Sequence, residues 1–129
     1  MGCEMARSAL IVDDSSTVRR QLRTFLEGQG FSVTEGANGR EGIDAARGSA
    51  FDLIIVDVNM PVLDGISMIR EVRRITAHQK TPIFVLTTDS AVSTAGEGKI
   101  AGATAWIVKP FKPEVLLKGI QKVFGEGNG

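Results

Sequence analysis

The chain has 129 residues, a length that suits one well-packed domain and is short for two. Lys and Arg together number 15, as do Asp and Glu, so the formal net charge is zero and no basic surface for nucleic acid or anionic membrane is expected. No apolar stretch approaches the roughly 20 residues of a membrane-spanning helix. Cys3 is the only cysteine, which excludes disulfide staples and cysteine-rich zinc sites and predicts a reducing, cytoplasmic compartment.

The N-terminal residues show no targeting pattern. The N-terminus lacks a charged-then-apolar signal segment, and Ala6 stands where the myristoylation pattern needs Ser or Thr. We expect residues 1–7 to be a flexible lead-in, 8–124 to form a single domain and 125–129 to be a flexible tail. On this division we expect no attached DNA-binding or catalytic output domain.

Short apolar runs alternate with longer amphipathic runs along the chain. The apolar runs predict strands at 8–12, 31–35, 53–56, 81–87 and 104–108. Helices are predicted after a cap at Ser15 or Ser16, at 38–48, at 65–75, at 90–103 and after Pro113. This alternation predicts an α/β fold with one doubly wound, five-stranded parallel sheet and five helices on its two faces. The more polar run 31–35 suits an edge strand, and the apolar run 53–56 suits the centre.

Polar residues follow four of these strands where each one ends. Asp13 and Asp14 follow the first strand, Asp57 the third, Thr87 the fourth and Lys109 the fifth. Ligand sites in open parallel sheets lie beyond the carboxyl ends of the strands. Neighbouring strands are about 4.8 Å apart, so the three carboxylates would repel one another unless protons or a cation neutralise them.

An oxygen-only set of ligands, without His or Cys, predicts a hard cation: Mg²⁺, with Mn²⁺ able to replace it. Lys109 supplies a positive charge and Thr87 a hydroxyl donor, both suited to a phosphoryl group. A carboxylate beside a divalent cation can attack phosphorus and form an acyl phosphate. Asp57 is therefore predicted to be a phosphoryl acceptor.

Four motifs carry a family resemblance: VDDS at 12–15, DVNMPVLDG at 57–65, LTTD at 86–89 and WIVKPF at 106–111. In this order and at these strand ends, the chain resembles response-regulator receiver domains, and closely the CheY-like single-domain chemotaxis regulators. The resemblance covers nearly the whole chain, and four motifs in register are far more specific than any one of them. It implies the flavodoxin-like, CheY-like sheet with strand order 2-1-3-4-5.

The resemblance also implies the roles of the site residues. Mg²⁺ would be held by Asp14, Asp57 and the main-chain carbonyl of Asn59, with Asp13 acting largely through water. Asp57 would take its phosphoryl group from a sensor histidine kinase or phosphotransfer domain, or from small donors such as acetyl phosphate. Thr88 would contact the phosphoryl group. The domain would catalyse its own phosphorylation and dephosphorylation without turning over an external substrate.

Switching is implied for the aromatic residue at position 106. Thr87 would move toward the new phosphate oxygens and draw Trp106 inward, reshaping the face formed by the helix predicted at 90–103, the fifth strand and the last helix. The family usually carries Tyr or Phe at this position, and the larger indole only donates hydrogen bonds, which predicts a hindered or already biased swing. Thr88 is bulkier than the usual Ala or Gly, which predicts slower approach of donors or water.

The helix predicted at 90–103 is weak because it contains Gly96, Gly98 and Gly102, each costing about 1 kcal/mol against Ala. Phosphorylation could order or displace it, or it could simply be a poor helix; both readings stay open. Arg19 and Arg20 could dock a kinase or belong to a solvated helix face. His78 is expected to be a surface loop residue.

The functional prediction is a stand-alone response regulator of a two-component system. We expect a cytoplasmic monomer whose downstream partner is a flagellar motor switch protein or another protein, with no nucleic acid and no membrane contact. One alternative is a phosphorelay shuttle or phosphate sink. An alternative of another class is a metal-dependent phosphatase with an aspartyl intermediate. Asn59 argues against it, because haloacid-dehalogenase-type enzymes carry a general-acid Asp at this position.

Overall fold

Five parallel strands and four α-helices make up the computed structural model, which describes residues 7–57, 65–87, 103–108 and 112–124. The strands are β1 (Arg7–Val12), β2 (Phe31–Gly36), β3 (Leu53–Asp57), β4 (Ile83–Thr87) and β5 (Ala105–Val108). The helices are α1 (Ser16–Gly28), α2 (Gly39–Gly48), α3 (Gly65–Arg73) and α4 (Pro113–Phe124), with a short 3-10 helix at Thr76–His78.

The strands form one sheet in the order β2-β1-β3-β4-β5, and every pair of neighbours is parallel. The predicted fold class and strand order are thereby confirmed. β2 lies at an edge and β3 at the centre, as their polarity indicated. The helix predicted at 90–103 lies outside the described residues, as do the predicted lead-in before Arg7 and the tail 125–129.

The sheet separates two apolar cores. Alternate residues of a strand point to opposite faces, so Leu10 and Val12 pack with α2 and α3, whereas Ala9 and Ile11 pack with α1 and α4. All five residues of β3 are buried. A central parallel strand covered on both faces therefore accounts for the unbroken apolar run that ends at Asp57.

Side-chain caps begin the first two helices, the first of them at Ser15, one of the two predicted residues. Ser15 caps α1, its hydroxyl accepting a hydrogen bond from the Val18 N–H at 3.2 Å. Asn38 caps α2 by accepting from the Glu41 N–H at 2.9 Å, and Glu41 in turn accepts from the Ala37 N–H at 2.7 Å. Both helices thus begin just beyond the carboxyl ends of β1 and β2.

Several element boundaries differ from the predicted ones by one or two residues. β1 begins at Arg7 rather than Ser8. α3 ends at Arg73 rather than at 75, and the 3-10 helix begins at Thr76. β4 begins at Ile83 rather than 81 because Pro82 has no N–H to give to a strand ladder; its carbonyl instead accepts from the Ile54 N–H at 3.0 Å. None of the described helices is long and apolar enough to cross a membrane.

His78 is fully buried, so its predicted surface position was wrong. Its Nε2 lies 3.1 Å from the Ala46 carbonyl oxygen and 3.0 Å from that of Ser49, at the C-terminus of α2. Its Nδ1 lies 3.1 Å from Thr81 Oγ1, and its ring stacks on Phe51. The backbone partners precede His78 by 32 and 29 residues, so the polar sequence around it gave no sign of burial.

Candidate metal centre

Three carboxylates meet at the carboxyl edge of the sheet. One oxygen from each of Asp13, Asp14 and Asp57 lies within 4.8 Å of the others. Asp13 is fully buried, Asp57 is 3% exposed and Asp14 is exposed. The structure therefore brings together the acidic residues that the sequence placed at the ends of the first and third strands, in a group with one side open to solvent. We call these three residues the acidic group.

Asp13 is held in place by its neighbours on two elements. Its N–H donates to the Gly36 carbonyl at 3.1 Å, which extends the pairing of β1 with β2 by one residue. Its Oδ1 accepts from the Ser15 N–H at 2.8 Å, just ahead of α1. The carboxylate is thus oriented by the turn that connects β1 to α1.

Asp57 is the last residue of β3 and lies beside Leu86 of β4 in the strand register. Because β3 lies between β1 and β4, its carboxylate emerges next to the one that follows β1. The strand order alone therefore brings Asp57 to Asp13, although 44 positions separate them in the printed sequence.

The donor set fits a hard divalent cation. All three side chains offer carboxylate oxygens, the ligands that Mg²⁺ prefers, and two of the three are shielded from water. Like charges this close raise one another's free energy unless a cation or protons neutralise them. The exposed Asp14 leaves a path from solvent, so a hydrated ion could reach the group while keeping some of its water.

A network of charged side chains adjoins the acidic group. Arg19 donates through a terminal nitrogen to the Asp13 main-chain oxygen and through Nε to Glu35 at 3.0 Å. Glu35 also accepts from Arg23. Burial alone would raise the pKa of Glu35, but the hydrogen bonds from Arg23 and Arg19 bring it below its ordinary value. Sequence reasoning singled out Arg19 only as a docking or solvated residue, and Glu35 not at all.

Of the two arginines left open in the sequence, Arg19 is ion-paired and Arg20 is exposed. An acidic residue in β2, beside the first turn of α1, is the feature that could have indicated an ion-pair partner for Arg19. Sequence spacing does not show it, because Glu35 is 16 positions away. A docking role for either arginine stays a prediction.

The remaining predicted site residues are only partly described. Asn59, Thr88 and Lys109 lie outside the described residues. Thr87 ends β4, where its backbone lies beside Val108. Trp106 lies in β5 beside Val85 and packs, partly buried, on the core shared with α2 and α3. Its indole Nε1 is buried and has no acceptor among the residues that the structure describes.

Comparison with known proteins gives a consistent result. The family described as response regulator receiver domain matches residues 9–121. The structure of the Vibrio cholerae chemotaxis protein CheY4 is 43% identical, with a TM-score of 0.88, over 92% of this chain and 99% of that one. The magnesium-bound receiver domain of the sensor histidine kinase PA1611 from Pseudomonas aeruginosa is 29% identical, with a TM-score of 0.86, over 94% of this chain and 99% of that one.

Among curated proteins, the transcriptional regulatory protein SrrA of Staphylococcus aureus is 37% identical over 115 residues. The match covers 88% of this chain and 46% of SrrA. The chain thus spans about half the length of this relative. The comparison with SrrA therefore applies only to the matched part of that protein.

Proposed function

The chain belongs to the response regulator receiver domain family, and we propose that it is a phosphorylation switch of a two-component system with Asp57 as the phosphoryl acceptor. The observation that carries the proposal is the acidic group, which places Asp57 within 4.8 Å of two further carboxylates. Receiver domains are signalling switches rather than enzymes that turn over a substrate. We propose the same for this chain: its own phosphorylation and dephosphorylation would be the only reactions that it catalyses.

The donor would be a phosphohistidine on a sensor histidine kinase or phosphotransfer domain. A carboxylate oxygen of Asp57 attacks phosphorus, the phosphorus–nitrogen bond of the donor breaks, and the departing imidazole nitrogen keeps the electron pair. The product is an aspartyl phosphate. Asp57 itself is 3% exposed, which would limit the access of water to the acyl phosphate.

Asp14, Asp57 and the Asn59 main-chain carbonyl would hold Mg²⁺, or Mn²⁺ in its place, with Asp13 acting through water. Such a cation offsets charge on the transferring phosphoryl oxygens. The family membership and the oxygen-only donor set support this assignment, as does the PA1611 receiver domain, in which a magnesium ion is coordinated in the active-site cleft.

Three further residues complete the proposed site. Lys109 would pair with the phosphoryl group, and Thr88 would contact it. Thr87 would move toward the new phosphate oxygens and donate a hydrogen bond to them from its hydroxyl. Trp106 would respond as the switch residue. Its partly buried position beside Val85 of β4, against the core shared with α2 and α3, supports a role in passing a change from β4 to β5.

The signal would leave through a protein–protein surface formed by the segment 90–103, β5 and α4. We propose a flagellar motor switch protein as the partner, because the chemotaxis protein CheY4 is similar over 99% of its length. The zero net charge supports a protein partner rather than nucleic acid. A monomer in the cytoplasm, without membrane contact, completes the proposal.

Two other uses of the same site remain candidates. A phosphorelay shuttle or phosphate sink would hand the phosphoryl group on or discard it, and rapid back-transfer to a phosphohistidine protein would favour it. The 37% identity to SrrA favours a receiver that acts on transcription. Specific capture of a motor switch protein by the phosphorylated form alone would favour the chemotaxis role over both.

The test uses Trp106, the only tryptophan, as an internal probe. Fluorescence is followed as Mg²⁺ and then acetyl phosphate are added, and intact mass is measured on the same sample. We expect the mass of one phosphoryl group to be gained, with a fluorescence change if Trp106 takes part in switching. Asp57→Ala should abolish the gain, whereas Asp52→Ala, at the opposite edge of the sheet, should keep it.

A wild-type protein whose mass does not change would contradict the proposal, as would an Asp57→Ala variant that still gains the group. Multiple turnover of a simple phosphate ester would instead support the metal-dependent phosphatase that uses an aspartyl intermediate.

A further inference from the structure

Arg19 joins the first turn of α1 to the residue that follows β1, and we propose that it is a positioning residue that holds Asp13 and Asp14 ready to bind a divalent cation. The inference deepens the proposed function and rests on it. Arg19 does not belong to the acidic group itself. It would act on the cation only through the backbone of Asp13.

One guanidinium makes both contacts. Arg19 donates through a terminal nitrogen to the Asp13 main-chain oxygen, and through Nε to Glu35 Oε1 at 3.0 Å. The Arg19 side chain is only 17% exposed, so water competes weakly for either contact. The planar fork of arginine can hold two acceptors in fixed directions, which a lysine ammonium cannot do.

The Asp13 oxygen that Arg19 binds belongs to the peptide unit that joins Asp13 to Asp14. Because a peptide unit is planar and rigid, fixing this oxygen fixes the backbone on which both side chains stand. On the other side of Asp13, its N–H donates to the Gly36 carbonyl, and the Ser15 N–H donates to its carboxylate. Without Arg19 this peptide unit would be less restrained, and the orientation of the Asp14 side chain relative to that of Asp13 would be less fixed.

Glu35 keeps Arg19 in place. It lies on β2 beside Ile11 in the strand register, and it accepts hydrogen bonds from both Arg19 and Arg23. Arg23 in turn donates to Glu27 and to the Val33 carbonyl. The guanidinium of Arg19 is therefore held by a carboxylate that has its own support from the next turn of α1.

Charge and position predict opposite results when Arg19 is replaced. Arg19→Gln removes a positive charge near the acidic group, so electrostatics alone predicts tighter binding of Mg²⁺. Loss of positioning predicts weaker binding, because supporting residues around a metal site typically change its affinity about tenfold or more. We expect the second result: the Kd for Mg²⁺ rises about tenfold in Arg19→Gln.

Arg19→Lys separates the two effects further and provides a second variant if Arg19→Gln folds poorly. It keeps the charge but loses the fork, so we expect its Kd also to rise, by a smaller factor. Arg20→Gln is the matched control, because it removes the same charge from the same helical turn at an exposed position. Its Kd should stay the same or fall slightly.

The experiment titrates the full-length chain with magnesium chloride alone in a calorimeter and measures urea unfolding on the same samples. A merely structural role for Arg19 would lower the urea midpoint without changing the Kd of the folded protein. Equal or tighter Mg²⁺ binding by Arg19→Gln and Arg19→Lys, beside a wild type that binds Mg²⁺ and gains a phosphoryl group, would overturn the positioning role alone. A wild type that binds no Mg²⁺ would overturn both this role and the proposed function.

Discussion

The two edges of the sheet bring together different kinds of polar groups. At the carboxyl edge, three carboxylates lie within 4.8 Å of one another. At the amino edge, where β3 and β4 begin, hydrogen-bond donors and acceptors face one another. His78 lies between backbone carbonyls and Thr81, and Asp52 accepts from the Ser8 N–H at 2.8 Å.

Arg73 adds to the amino edge by donating to the carbonyls of His78 and Thr81 at 2.9 and 2.6 Å, and burial lowers its pKa. The contrast teaches that the amino edge joins donors to acceptors, whereas the carboxyl edge brings three groups of like charge close together. Functional sites commonly retain such unfavourable arrangements. Substitutions at the amino edge should therefore affect stability, and substitutions at the carboxyl edge should affect ligand binding.

The largest expected loss of stability follows from His78→Ala. The substitution removes the buried imidazole, leaves the Ala46 and Ser49 carbonyls without its N–H, and opens a cavity beside Phe51. We expect the free energy of unfolding to fall by about 3 kcal/mol in urea titrations. The Kd for Mg²⁺ of the folded variant should change less than about twofold, since the acidic group lies at the other edge.

Gln79→Ala is the control for His78→Ala, because Gln79 is its exposed neighbour and should be replaceable with little change. Equal urea midpoints for the two variants would show that the His78 contacts contribute nothing to stability. The expectation that substitutions at the amino edge affect stability would then be wrong.

A smaller loss is expected from Gly42→Ala in α2. A Cβ at Gly42 would lie 2.8 Å from Met68 Cε and 2.8 Å from Val12 Cγ2, in the core beneath the acidic group. Overpacking of this kind typically costs about 1–3 kcal/mol. Gly48→Ala, in the same helix with no atom within 4 Å of the added Cβ, should be neutral or slightly stabilising in the same urea measurement. Similar losses in both variants would contradict close packing at Gly42.

At the carboxyl edge, a substitution should raise rather than lower the free energy of unfolding. Asp14→Asn removes one of three repelling charges, so the metal-free protein should become more stable, by less than about 1 kcal/mol. Its Kd for Mg²⁺ should rise about tenfold or more. Asp52→Ala, at the amino edge, should instead lower the urea midpoint and leave the Kd unchanged. Metal-free Asp14→Asn that is clearly less stable than wild type would argue against repulsion in the acidic group.

The smallest effect is the pH dependence that Glu35 brings. Burial raises the pKa of Glu35, but the hydrogen bonds and positive charges of Arg23 and Arg19 together bring it below its ordinary 4.5. A lowered carboxyl pKa adds stability above the ordinary value and loses it as pH falls through the folded-state pKa. Glu35→Gln should therefore be less stable than wild type near pH 7, with the gap closing below about pH 4.5. A gap that stays constant in urea titrations across this range would contradict the assignment.

The sequence predicted the sheet and the meeting of Asp13, Asp14 and Asp57 because both depend on local patterns. Apolar runs mark the strands, and in a parallel sheet the residues that follow neighbouring strands converge. His78 and Arg19 escaped the prediction because their roles depend on contacts between distant segments. The partners of His78 lie 29 and 32 positions away, and Glu35 lies 16 positions from Arg19. Element ends were also missed where a proline or a short 3-10 helix altered the hydrogen bonding.

The central claim is that the acidic group turns Asp57 into a phosphoryl acceptor. The most direct measurement treats the protein with acetyl phosphate, with and without Mg²⁺, reduces any acyl phosphate with borohydride and maps the peptides by mass spectrometry. We expect one reduced residue, at position 57, only when Mg²⁺ is present. Reduction at another aspartate, or equal labelling of Asp57 without a divalent cation, would contradict the account.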